Sequence, residues 1–103
     1  MLSINKVVGK SMYPNIPHGS YLIFHHLIFP RLLTRGKIIK VKHPTYGLIV
    51  KEIIAIDDQG RYWLDGLDVE SINTLEIGAI DLNMITGVVA FTIRNKHNMR
   101  KTL

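Results

Sequence analysis

Runs rich in β-branched and aromatic residues recur along the chain, and turn residues punctuate them at short intervals. That pattern predicts an all-β or mainly-β domain built from short strands. Strands are expected from Asn5 to Val8, Tyr21 to His25, Lys37 to Lys42, Gly47 to Ile56, Tyr62 to Leu64 and Gly87 to Ile93. Asp57-Asp58-Gln59-Gly60 separates two such runs at hairpin length. His43-Pro44-Thr45-Tyr46-Gly47 is a second turn, with Pro44 and Gly47 as its breakers. The stretch from Leu67 to Asn83 has no clean period and reads as loop, with one short helical turn around Asp81 to Ile85. No repeat, linker or low-complexity segment interrupts the pattern.

Alternation along the fourth run places Ile49, Lys51, Ile53 and Ala55 on one face and Val50, Glu52 and Ile54 on the other. Lys51 thus shares a face with aliphatic side chains, while Glu52 points away from it. One reading is an edge-strand lysine that snorkels to water. The other is an amine kept for chemistry. A lysine acts as general base only if its pKa falls from about 10.4 to roughly 7–8. Such a change costs about 4 kcal/mol, and desolvation is its usual source.

A partner for that base lies near the N-terminus, in Gly9-Lys10-Ser11-Met12-Tyr13-Pro14. Gly9 permits a sharp turn or a close backbone approach, and Pro14 disfavours helix at Tyr13. Ser11 therefore falls in a tight, irregular segment that can offer a hydroxyl and a backbone N–H to a carbonyl. The plainer alternative is a turn serine bonded to its own backbone. Taken together, Ser11 and Lys51 have the residue types of a nucleophile and its activating base.

Size and composition limit the options. At 103 residues, with 47% apolar and 20% charged content, the chain is expected to fold as one globular domain, residues 93–103 forming a basic tail. It has no cysteine, so disulfides and Cys-based zinc sites are excluded. Thirteen basic against eight acidic residues give +5, concentrated in Arg94-Asn95-Lys96-His97-Asn98-Met99-Arg100-Lys101. That tail is either a solvated terminus or a contact for nucleic acid or anionic lipid. No segment approaches the roughly 20 apolar residues of a membrane-spanning helix, and none has the apolar stretch of a signal peptide. The expected location is the cytoplasm, with a membrane-peripheral position left open.

In order along the chain, these segments resemble the type I signal peptidase (leader peptidase) family and its relatives, which include the self-cleaving SOS repressors. The family's G-x-S-M-x-P-T-I box is similar to Gly9-Lys10-Ser11-Met12-Tyr13-Pro14-Asn15-Ile16, and the G-D after it to Gly19-Ser20 before Tyr21-Leu22-Ile23. R-G-D-I-V resembles Arg35-Gly36-Lys37-Ile38-Ile39, and the lysine box I-K-R-V-I-G resembles Val50-Lys51-Glu52-Ile53-Ile54-Ala55. The late boxes look like Gly66-Leu67-Asp68, Ser71-Ile72-Asn73-Thr74-Leu75 and Ile85-Thr86-Gly87-Val88-Val89.

The resemblance spans roughly residues 6 to 91 and implies a mainly-β catalytic core of short, strongly bent antiparallel sheets. It implies Ser11 as nucleophile, Lys51 as general base, Ser71 as a hydroxyl orienting the lysine, and the Ser11 amide in the oxyanion hole. Gly9, Met12 and Asn73 would support the site, with no metal or organic cofactor. Several positions depart from the family. Its late Asp and Arg are Asn73 and Leu75, an Asp and an Arg are exchanged for Lys37 and Glu52, and Gly9 replaces the second hydroxyl of some members. The segments around Lys51 and Trp63 look most like the small soluble members that mature a single protein, such as nickel superoxide dismutase precursor peptidases.

The expected activity is a serine endopeptidase that cleaves an extended segment of a precursor, as in signal-peptide or propeptide processing. The alternative is a peptide- or nucleic-acid-binding module on the same fold without turnover. In the first case the partner is a protein or peptide, and no nucleic acid is expected. The apolar stretch from Tyr21 to Leu33 is a candidate for peptide β-augmentation or peripheral membrane contact, or else core. His25 and His26 are adjacent, so on a strand they face opposite sides and cannot chelate one metal together.

Overall fold

The computed structural model describes residues 2–6, 18–65 and 74–94. Six strands form one sheet: β1 (Leu2–Lys6), β2 (Tyr21–His25), β3 (Ile38–His43), β4 (Gly47–Ile56), β5 (Tyr62–Asp65) and β6 (Ile85–Ile93). Their order is β1-β2-β6-β3-β4-β5, and every pairing is antiparallel. A short helix α1 (Thr74–Ile77) and two 3-10 turns, Pro30–Leu32 and Leu82–Met84, complete the described elements.

The chain is mainly β, as the residue pattern predicts. β2 and β4 have the expected bounds, and the helical turn expected around Asp81 is Leu82–Met84. β1 starts earlier than expected, at Leu2, and residues Val7 and Val8 lie outside the described residues. β6 starts at Ile85, with Gly87 inside it rather than at its head. A Cβ on Gly87 would stand 3.4 Å from Phe24 Cβ and 3.5 Å from Lys40 Cβ. The glycine serves close packing there, not a turn.

Both predicted turns join adjacent antiparallel strands. At the β3–β4 turn, His43 Nδ1 accepts the N–H of Thr45 (3.0 Å) and of Tyr46 (3.2 Å). Its Nε2 then carries the proton and donates to the Ile77 carbonyl at 2.8 Å. The buried imidazole thereby ties the turn to α1. At the β4–β5 turn, Asp57 Oδ1 accepts from the backbone of Gln59 and Arg61, and Oδ2 from Arg61 Nε and Trp63 Nε1.

The two halves of the sheet bury opposite faces. Cross-strand partners share a face, so Ile39, Val41, Ile53, Leu64 and Val88 lie together on one side. Leu33, Ile77, Ile80 and Ile85 join them in the larger core. Leu22 and Phe24 are buried on the other side, with Ile38, Val50 and Val89 against them. Register shifts in the β2–β6, β3–β6 and β4–β5 pairs accompany this exchange of faces. Bulges of that kind increase strand twist and bend a sheet.

Candidate active site

Lys51 is placed by its ladder. β4 lies between β3 and β5, so Lys51 is not on an edge strand, and the snorkelling edge lysine does not apply. Its cross-strand partner is Ile39, which is fully buried, and its same-face neighbours on β4 are Ile49 and Ile53 of the larger core. Only 5% of Lys51 is exposed. Burial pushes its amine below the ordinary lysine range, and the charge of Asp65 acts in the opposite direction.

Asp65 ends β5 opposite Glu52, one position along from the lysine. Along the sequence, Glu52 is the carboxylate adjacent to Lys51. The signal for Asp65 was its place at the end of the Tyr62-Trp63-Leu64-Asp65 run, which the hairpin folds back on Lys51's strand. No ion pair joins Lys51 to Asp65 among the described residues. The exchanged pair Lys37 and Glu52 likewise forms none: Lys37 is exposed, and Glu52 stands between Ile38 and Asp65 in the ladders.

The other predicted site residues, Gly9, Ser11, Met12, Ser71 and Asn73, lie outside the described residues. Leu75, at the family's arginine position, is on α1 with its side chain exposed.

The sheet buries a second lysine that the sequence pattern does not set apart. Lys40, on β3, is 7% exposed and lies on the opposite face from Ile39 and Val41. Its Nζ donates to Asn5 Oδ1 at 2.6 Å and to Ser3 Oγ at 3.1 Å, and stands 4.5 Å from the Phe24 ring centroid. Burial lowers its pKa as well. Two oxygen acceptors and an aromatic face are the surroundings of an ammonium rather than of a free base. The Ile39-Lys40-Val41 pattern resembles that around Lys51, but alternation hides which lysine meets acceptors.

The stretch from Tyr21 to Leu33 divides between core and surface. Leu22, Phe24 and Leu33 are buried, while Tyr21, Leu27 and Phe29 are exposed. β2 is paired on both sides, by β1 and β6, so its backbone is closed to an added strand. No helix among the described residues is long and apolar enough to cross a membrane. No family model, curated protein or solved structure matches this chain.

Proposed function

We propose that the chain is a serine endopeptidase of the Ser/Lys type, related to the signal peptidases, that cleaves an extended segment of a precursor protein. The observation that carries the reading is the position of Lys51: an interior strand, an aliphatic face, and an amine whose basicity burial lowers. A lysine whose basicity is lowered in this way is free to accept a proton at a lower pH than an exposed lysine, which is the direction a general base requires. In the proposed reaction Ser11 Oγ attacks the scissile carbonyl as Lys51 Nζ takes the hydroxyl proton. The lysine passes that proton to the leaving amine, then deprotonates the water that hydrolyses the acyl-enzyme. The Ser11 N–H would help hold the oxyanion.

The test is cleavage of a panel of extended precursor peptides with small residues before the cut, read by mass spectrometry between roughly pH 7 and 10. Cleavage is expected from the wild type and not from Ser11→Ala or Lys51→Met, with a rate that rises with pH to a midpoint below 10.5. Cleavage that survives Ser11→Ala refutes the assignment. An absence of cleavage, together with a Lys51 amine that titrates at the ordinary value, leaves the binding module on the same fold.

A further inference from the structure

Lys40 carries its charge across the sheet rather than out of it. The residue lies on β3 and its amine ends on β1, although β6 and β2 stand between those strands. The route is open because its cross-strand partner on β6 is Gly87, which has no side chain to block it. Beyond Gly87 the amine passes the Phe24 ring of β2, 4.5 Å from its centroid, and reaches Asn5 Oδ1 and Ser3 Oγ. Lys40 is 7% exposed, whereas Ser3 and Asn5 are half-buried, so the group meets solvent along β1.

No counter-ion accompanies the amine among the described residues. All eight Asp and Glu residues lie from Glu52 to Asp81, and β1, β2, β3 and β6 contain none. On the same face, the carboxylate nearest in register is Glu52, two residues along β4 from Val50, the partner of Lys40. β4 borders β3 on the side away from β1, and the amine is turned toward β1. Lys42, exposed on the same face of β3, adds positive charge.

Hydrogen-bonding capacity is unbalanced in the same direction. An ammonium has three N–H groups, and Asn5 and Ser3 take two of them. Ser3 Oγ accepts from the lysine, which leaves its O–H to donate elsewhere. Asn5 turns Oδ1 to the amine, which leaves the Nδ2 N–H groups beside it. The Phe24 face attracts the cation but does not neutralise it. Buried charges in folded proteins are paired, and donors gathered around a cation without a carboxylate suit an anion.

We propose that Lys40, Ser3 and Asn5 form a binding site for a small oxyanion, either inorganic phosphate or the carboxylate of an organic acid. Lys40 Nζ supplies the charge, and Ser3 O–H and Asn5 Nδ2 supply the further donors. A lysine acts as a point charge on such a group rather than as a two-pronged grip. The site does not rest on the Ser11/Lys51 reading, and Ser11→Ala should leave it unchanged.

The test is NMR of the full chain labelled at lysine Cε, titrated near neutral pH with sodium phosphate or sodium acetate. Each replaces sodium chloride at constant ionic strength, so general screening does not change. The Lys40 signal is the one missing from Lys40→Met, or from Lys40→Arg should the first variant fail to fold. It is expected to move along a saturable curve while that of exposed Lys42 does not. Saturation with phosphate alone makes the ligand a phosphate, and saturation with acetate makes it a carboxylate; either supports the site. Ser3→Ala, which keeps the 2.6 Å bond to Asn5, should raise the apparent Kd about threefold to tenfold. Thermal unfolding followed by Trp63 fluorescence shows that each variant is folded. No saturable shift at Lys40, or one that Lys42 shares, overturns the proposal. An affinity unchanged in folded Ser3→Ala overturns the site as built, as does a phosphate-dependent rise in melting temperature that the Lys40 variant keeps in full.

Discussion

Lys51 and Ile39 stand opposite each other in the β3–β4 ladder, an amine-bearing side chain against a fully buried aliphatic one. Burying the charged amine opposes folding, and Lys51→Met removes that cost while keeping the volume. The variant is expected to be more stable than wild type at neutral pH by about 1–3 kcal/mol. The sign follows from the lowered pKa in the fold. Below it both states are protonated and the penalty is complete. As pH rises through the folded value toward 10.5, the unfolded chain holds the extra proton and wild type recovers. Melting temperatures of the two proteins should therefore converge in that window. A gap that stays constant with pH would mean that the amine keeps its ordinary basicity.

Lys40 is the opposite case, since its charge has acceptors. Asn5→Ala removes the 2.6 Å bond and should destabilise by about 1–2 kcal/mol. In Lys40→Met the same Asn5→Ala change should cost much less, so the double-mutant cycle closes with a coupling of about 1–2 kcal/mol. Additive effects in denaturant unfolding would show that the contact contributes nothing beyond position. Because Ser3 and Asn5 lie on β1, the coupling also measures how firmly that edge strand is held to the sheet.

These two lysines show what the sequence could disclose. Period-two alternation was enough to find β2 and β4 at their bounds and to set Lys51 on the aliphatic face. It did not reveal the partners of Lys40, because Ser3 and Asn5 reach it only after β1, β2, β6 and β3 take their order in the sheet. The bulges that let one sheet bury opposite faces leave no mark on local pattern, since one extra residue looks like ordinary variation. α1, with four residues, has no helical period to read. Asp65 was legible as a strand end but not as a charge beside Lys51, which requires the β4–β5 register.

Asp57 should make the β4–β5 turn acid-sensitive. Hydrogen bonds from the Arg61 and Gln59 backbone and from the Trp63 indole, with the Arg61 charge, hold its carboxyl below 3.8 against the opposing effect of desolvation. A lowered carboxylate contributes stability that is present above its unfolded value and is lost as pH falls through the folded one. Trp63 fluorescence should therefore stay constant down to about that unfolded value and change below it. Asp57→Asn cannot offer a second acceptor oxygen to Arg61 Nε and Trp63 Nε1. It should show the altered emission already at neutral pH, with no acid transition from this site. An acid transition that persists unchanged in the variant would assign it to another carboxylate.

His43 makes the last prediction, because its tautomer follows from its partners. With Nδ1 accepting two backbone N–H groups and Nε2 donating to the Ile77 carbonyl, only the neutral Nε2–H form satisfies all three bonds. Imidazole nitrogen shifts measured by NMR should show that form. Replacing the ring with His43→Phe keeps the bulk but strands a carbonyl of α1 and two N–H groups of the β3–β4 turn. Destabilisation of about 2–4 kcal/mol is expected, most of it from groups left without partners rather than from lost packing. Hydrogen exchange should then accelerate first at Thr45 and Tyr46, whose N–H groups lose their acceptor. If their exchange is unchanged and stability is kept, the imidazole does not hold the turn.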